Sequence, residues 1–236
     1  MKILICQVIT PDIKDYSQYS LPTNLEYSIK WNYDYLLYTA KKTEINYHPA
    51  WLKITSFYEI KVDKYDWIWI LDADAIINNH EIKLEDIIGD ENKPIIISVN
   101  DENGGRYLNS GSILIKSSYV KELLKKYEDA IDNNYKFLTE RFWDQELIND
   151  WFEQDPIPFS VRPMMELNSH WRLERLSKED CQKYGVEEKE PYNQKMNLIH
   201  HFMSLPHHIR LDWMRNSWIN RQVSKLKKII DEKNGK

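Results

Sequence analysis

Asp66-Trp67-Ile68-Trp69-Ile70-Leu71-Asp72-Ala73-Asp74 carries an unbroken apolar run that ends in two aspartates one residue apart. A continuous run of large, β-favouring residues is the pattern of a central strand covered on both faces, since a half-solvated strand would alternate polar with apolar. Such a strand delivers Asp72, Ala73 and Asp74 to its C-terminal end, the edge at which open α/β sheets bind their ligands. Two carboxylates this close repel one another and raise a pKa unless something neutralises them. A divalent cation does so, and offers its remaining positions to the oxygens of a diphosphate. An Asp-x-Asp arises about once by chance in a chain of this size. Its position after a buried strand is what gives it meaning.

Working outward, Lys2 to Ile9 reads as a first buried strand and Pro11-Asp12 as a turn. Thr23-Asn24-Leu25-Glu26 has the form of a capping box and predicts a helix from there through Trp31. Tyr33 to Tyr38 is a short aromatic strand, and between Ala50 and Val62 the residues Trp51, Ile54, Phe57, Tyr58 and Ile60 recur at helical spacing. Downstream, Pro94 to Val99 and Tyr107 to Lys116 read as strands separated by an Asn103-Gly104-Gly105 turn, and helices follow near Ser118 to Asn133 and Trp143 to Phe152. Gln154 to Tyr192 holds four prolines and little periodicity, the pattern of irregular structure over a site. Met196 to His200 is one more strand and Leu211 to Glu232 a closing helix. The alternation predicts an α/β fold with a mostly parallel, Rossmann-like central sheet flanked by helices, in a single domain over residues 1–236.

A net charge of −5 argues against a nucleic-acid binder, which needs a concentrated excess of Lys and Arg against phosphates. Cys6 and Cys181 are too few for a disulfide framework and lack the spacing of a zinc site, so a reducing compartment is expected. The apolar run ending at Ile9 is too short for a signal peptide or a membrane span. A cytoplasmic location, or one domain of a longer protein, is the expectation. Aromatic content of 13% exceeds what a core of this size requires, and flat rings are the usual platforms for sugars. Trp143, Trp151, Trp171 and Trp213 are candidate platforms, with ordinary core packing as the plain alternative.

Three further motifs bear on chemistry. His201, followed by Phe202, can complete the aspartate pair as a third ligand, and a set mixing carboxylate with imidazole favours Mn2+ over Mg2+. The plain alternative is a structural histidine, since His200, His207 and His208 crowd the same segment. Asn109-Ser110-Gly111 lies at a turn into a strand, where glycine permits close backbone approach and the amide and hydroxyl can bind sugar hydroxyls. Asp144-Gln145 opens a helix, close to the positive end of its dipole, and can face an anomeric carbon; Asp144 can equally be a favourable first-turn acid.

In this order the motifs Trp51-Leu52-Lys53, the strand leading to Asp72-Ala73-Asp74, Asn109-Ser110-Gly111, Asp144-Gln145 and His201-Phe202 resemble the retaining GT-A glycosyltransferases. Glycosyltransferase family 34, the yeast α-galactosyl- and mannosyltransferases and plant xyloglucan xylosyltransferases, is the most similar, and glycogenin-like family 8 shares the last three motifs. The resemblance spans about residues 2 to 205 and implies transfer of a hexose, pentose or deoxyhexose from a UDP-sugar to a glycan or other hydroxyl acceptor, with retention. It implies that Asp72, Asp74 and His201 hold the metal. Thr10, Lys53 and Ala73 would touch the nucleotide, Asn109, Ser110 and Gly111 the donor sugar, and Asp144 and Gln145 would flank the anomeric centre as the catalytic pair. The nucleotide-sugar half would be about 1–116 and the acceptor half 117–236. Ser204 and Pro206 stand where the family has a glycine and a diphosphate-binding lysine, leaving Arg210 or Lys195 to supply the charge.

Two other classes compete. Haloacid-dehalogenase-like phosphatases also place Asp-x-Asp after a buried strand and a serine after a second one, as Ser98 follows Ile95-Ile96-Ile97. A non-catalytic sugar-binding module on the same scaffold is the third reading, because a fold does not guarantee turnover.

Overall fold

The structure, a computed structural model, describes residues 1–39, 47–100, 107–140, 143–170, 198–202 and 207–233. In chain order the elements are β1 (Ile3–Ile9), α1 (Ser17–Trp31), β2 (Asp34–Thr39), α2 (Leu52–Thr55), β3 (Trp67–Leu71), β4 (Ala75–Ile77), α3 (Leu84–Ile88), β5 (Ile95–Asn100) and β6 (Tyr107–Lys116). They continue with α4 (Val120–Asp132), α5 (Trp143–Gln154), β7 (Phe159–Arg162), α6 (Met164–Leu167), β8 (Ser169–His170), β9 (Ile199–His201) and α7 (His207–Lys233).

Six strands form the main sheet in the order β2-β1-β3-β6-β5-β7. β1 runs parallel to β2 and β3, and β5 parallel to β7, while β6 is antiparallel to both its neighbours. The period-two geometry of a strand divides the apolar residues between two cores. Leu4, Cys6, Val8, Ile68 and Ile70 pack on one face with Leu123 and Tyr127 of α4 and Leu147 and Trp151 of α5. Ile3, Ile5, Trp67, Trp69 and Leu71 pack on the other with Tyr27 of α1 and Leu84 and Ile88 of α3. With both faces covered, β3 needs no polar position, and this is why its sequence does not alternate. Burial pushes the Cys6 thiol up to about 12. Cys181, Trp171, Lys195, Ser204, Pro206 and the Asn103-Gly104-Gly105 turn lie outside the described residues. Among the described residues no helix is long and apolar enough to cross a membrane.

A smaller sheet, β4-β9-β8, lies beyond the end of β3. β4 starts immediately after Asp74 and pairs antiparallel with β9, with Ala75 opposite His201.

Several local expectations are corrected. α1 begins at Ser17, with Pro22 inside it. Thr23 does not cap: its hydroxyl donates to Tyr19 O at 3.2 Å, and Asn24 turns into the core to bond the backbone of β4. The helix expected over Ala50 to Val62 is a segment of mixed pitch, a 3-10 turn over Pro49–Trp51, then α2, then a second 3-10 turn over Ser56–Tyr58. Trp51, Ile54 and Phe57 are buried as expected, but Tyr58 is 54% exposed. The proline-rich stretch after Gln154 contains β7: Pro156 and Pro158 precede it and Pro163 follows it, so the prolines bound the strand and do not interrupt it. Trp151 is a core residue in edge contact with Phe159, which removes it from the candidate sugar platforms.

Candidate active site

The aspartates sit on a turn that is held from below by buried amides. Ala75 N–H donates to Asp72 O at 3.1 Å, and Asp72 N–H to Gly111 O at 2.9 Å. Gln7, fully buried in β1, places Nε2 2.7 Å from Asp72 O and 3.2 Å from the carbonyls of Ala73 and Ala75. Its Oε1 accepts from Asn24 Nδ2 and from the Tyr35 hydroxyl. These contacts satisfy the turn's inward carbonyls, each of which would cost about 1–3 kcal/mol if buried unpaired. Sequence reasoning missed Gln7, although a lone amide within Ile3-Leu4-Ile5-Cys6-Gln7-Val8-Ile9 was its visible signal.

Pairing of β9 with β4 carries His201 to the aspartates. Its Nε2 lies 3.3 Å from Asp72 Oδ2 and 3.2 Å from Asp74 Oδ1. Asp72, Asp74 and His201 offer ligand atoms all within 4.8 Å of one another. The neighbouring histidines are occupied elsewhere, His200 with Ser217 on α7 and His207 with the Tyr16 hydroxyl. Arg210, from the first turns of α7, sets Nη1 3.0 Å from Asp74 Oδ2 and packs its guanidinium over the Tyr16 ring.

Burial alone would lower the His201 pKa, but Asp74 and Asp72 override it and hold it up at about 9. In the metal-free protein a protonated imidazole thus stands in for a cation between the carboxylates. The folded value lies above the ordinary one, so this stabilisation is complete below pH 6.5 and disappears as pH rises through about 9. Melting in a chelator between pH 6 and 10 should show a loss of about 3 kcal/mol. His201→Asn should flatten that part of the profile; an unchanged profile would show that the imidazole does not bear this charge.

Lys53 closes the other side. Only 7% exposed, it sets Nζ 2.7 Å from Asp72 Oδ1 and 2.9 Å from Asp144 Oδ2, and donates to Ser110 O and Oγ at 2.9 and 3.1 Å. Burial works against its charge, yet Asp144 and Asp72 hold the ammonium above its ordinary range. Burial likewise opposes ionisation of Asp72, and Lys53 and His201 overcome it, holding this carboxyl well below the usual range. Asp74 is lowered too, by His201 and Arg210 against burial. Asp144 is raised by burial, with Lys53 pulling in the opposite direction.

Asn109-Ser110-Gly111 lies within β6, not at a turn, but on an irregularity. Ile97 pairs with Ile113 whereas Ser98 pairs with Asn109, so Ser110, Gly111 and Ser112 bulge out of the ladder with β5. Bulges of this kind re-aim side chains beside sites. Here the bulge turns Ser110 to Lys53 and the bare face of Gly111 to His201, where a Cβ would stand 2.1 Å from the ring's Cε1. α5 is fastened alongside by Asn149, which bonds both backbone groups of Leu108, and by Gln145 Oε1, which accepts Ser110 N–H at 3.3 Å. Trp143 opens α5 with φ of 38° and stacks on His48, ring centroids 3.4 Å apart. A cavity of about 280 Å³ lies over this edge, lined by Thr10, Lys53, Asp72, Ala73, Asp74 and Arg210 among others. Trp213 is half-buried, packed against the apolar cluster of Ile9 and Phe202.

Solved structures share this architecture. A glycosyltransferase involved in the glycosylation of the major capsid of PBCV-1 superposes with a TM-score of 0.69 at 16% identity, over 91% of this chain and 99% of that one. The fold is GT-A. An active-site mutant of LgtC shares the GT-A fold at a TM-score of 0.56 and 10% identity, over 91% of this chain and 95% of that one. GlyE, a glycosyltransferase of Streptococcus pneumoniae TIGR4, gives 0.57 at 12% identity, and the alignment covers 94% of this chain and 64% of GlyE. No family model matches the chain, and no curated protein does. The GT-A fold leaves the phosphatase reading without support: the aspartates end the third strand of the chain, and Ser98 is buried in β5 with β6 lying between.

Proposed function

We propose that this chain is a retaining, Mn2+-dependent glycosyltransferase that moves a hexose, pentose or deoxyhexose from a UDP-sugar to a hydroxyl of a glycan or other acceptor, as the family-34-like motifs suggest. The observation that carries the reading is the convergence of Asp72, Asp74 and His201 at the carboxyl end of β3, beside a cavity flanked by Lys53 and Arg210. The donor set fits a hard or borderline divalent cation: two carboxylates from one turn and one imidazole nitrogen, the nitrogen favouring Mn2+ over Mg2+. When bound, the metal supplies positive charge to the departing diphosphate.

The chain's own residues have separable tasks. Lys53 engages Asp72 Oδ1 and leaves Oδ2, on the His201 side, for the cation. Arg210 lines the cavity and takes the diphosphate-binding part that the family's lysine plays. Thr10, at the end of β1, and Ala73 line the same cavity and suit the nucleotide. Asn109, Ser110 and Gly111 shape the donor-sugar end, with Asp144 and Gln145 beside the anomeric carbon. Asp144 is tied to Lys53 at 2.9 Å, which reduces its strength as a nucleophile. Retention then follows from entry of the acceptor hydroxyl on the face UDP leaves, its proton passing to the departing phosphate oxygen. The nucleotide-sugar half (1–116) and acceptor half (117–236) meet here, because His201 and Arg210 come from the second.

Thermal melting with UDP, with and without Mn2+, tests the reading. At about 100 times its dissociation constant UDP should add about 2.7 kcal/mol when Mn2+ is present. The shift should need both ligands and vanish in Asp74→Asn. A shift indifferent to metal, or none, would remove the aspartates from nucleotide binding; release of UDP from a UDP-sugar separates an enzyme from a binding module.

A further inference from the structure

Asn168 is fully buried between α6 and β8. Its hydrogen bonds can be deduced in order from one backbone group. Gly111 N–H can only donate, and it donates to Asn109 Oδ1 at 2.8 Å. The same oxygen accepts from Asn168 Nδ2. With its NH2 committed to Asn109, Asn168 presents Oδ1 on its other side, 2.9 Å from His201 Nδ1. An amide oxygen only accepts, so Nδ1 is the nitrogen that carries hydrogen, and Nε2 is the one that sheds its proton when the ring becomes neutral. Nε2 is also the atom that faces Asp72 Oδ2 and Asp74 Oδ1.

We infer that Asn168 is a positioning residue: through a relay from the Gly111 backbone by way of Asn109, it fixes the tautomer and ring plane of His201 so that Nε2 is offered to a divalent cation. The inference rests on the metal-site reading above. Only an amide does this, because the position must donate to one neighbour and accept from the other. It also gives Asn109 a second task beyond any contact with sugar. Ligating histidines are commonly held by such a partner on the far nitrogen, whose loss weakens metal binding about 10–100-fold.

The test is Mn2+ binding to the full chain at pH 8, read from the electron paramagnetic resonance signal of free Mn2+, with near-UV circular dichroism reporting the fold. Asn168→Leu keeps the volume but removes the relay and should weaken binding about 10-fold or more. Asn168→Ala removes it without adding branches and should do the same, so an unfolded Leu variant leaves the comparison intact. Asn168→Asp keeps the acceptor for Nδ1–H but loses the donor to Asn109 Oδ1, so it should bind Mn2+ less tightly than wild type and more tightly than Leu. A residue that merely filled space would give the reverse order, Leu tolerated and the buried charge of Asp damaging; that order overturns the inference while leaving the metal site standing. Absence of Mn2+ binding by the wild type overturns both.

Discussion

Lys53→Met should destabilise the metal-free protein by about 3–5 kcal/mol, the cost of breaking a buried ionic cluster from one side. The ammonium lies between Asp72 and Asp144, 2.7 and 2.9 Å from their carboxylates, and it also satisfies the carbonyl and hydroxyl of Ser110. Methionine fills the same channel with no charge and no donor. Asp144, already raised by burial, would be raised further once the ammonium that opposes that shift is gone, and Ser110 O would lose its donor. Because protonation of the stranded carboxyl relieves the penalty, the deficit should be smaller at pH 5 than at pH 8. Urea denaturation at the two pH values measures it. Mn2+ should restore only part of the loss, since it can neutralise Asp72 but leaves Asp144 without the cation that paired with it. A deficit that is equal at both pH values would mean that Lys53 contributes packing alone.

Gly111→Ala should weaken Mn2+ binding about 100-fold or more, at the upper end of what loss of ligand orientation costs. A Cβ at this position would lie 2.1 Å from His201 Cε1 and 2.6 Å from Nδ1, inside any permissible contact. The backbone cannot retreat, since Gly111 O accepts from Asp72 N–H and Gly111 N–H donates to Asn109. The imidazole must therefore give way, and its displacement breaks the distances to both aspartates and to Asn168. Overpacking of this kind costs about 1–3 kcal/mol in stability, so the variant should still fold. Free-Mn2+ resonance titration, paired with UDP-sugar turnover, reads the effect. Wild-type affinity in Gly111→Ala would show that His201 does not bind the metal in the position seen here.

Legibility in the sequence followed the range of the forces involved. The strands of the main sheet and the Asp72-Ala73-Asp74 edge were legible because uninterrupted apolar runs report burial on two faces, a local property. The bulge in β6 was not: Asn109-Ser110-Gly111 reads as a turn because glycine marks turns, and only the pairing with β5 shows three residues set aside. β7 was hidden by prolines that bound it. His201 could be named from its residue type, but what brings it to the aspartates is strand pairing between segments far apart in the chain, which leaves no local trace. Asn168 had no signal at all, since a buried amide with two side-chain partners is indistinguishable in sequence from a loop asparagine.

The short β4–β9 pairing has a consequence for how the protein reaches its working state. It joins two segments far apart in the chain through three residue pairs and the Phe202 N–H bond to Asp74 O. Contacts between distant segments close last, because the entropy of the intervening loop must be overcome before they contribute anything. The strands of the main sheet pair without β9, which on docking adds Leu198 and Ile199 to the core of one face. Chemical competence is thus expected late in folding, and a ligand that bridges Asp74 and His201 would act as a clasp on this short seam.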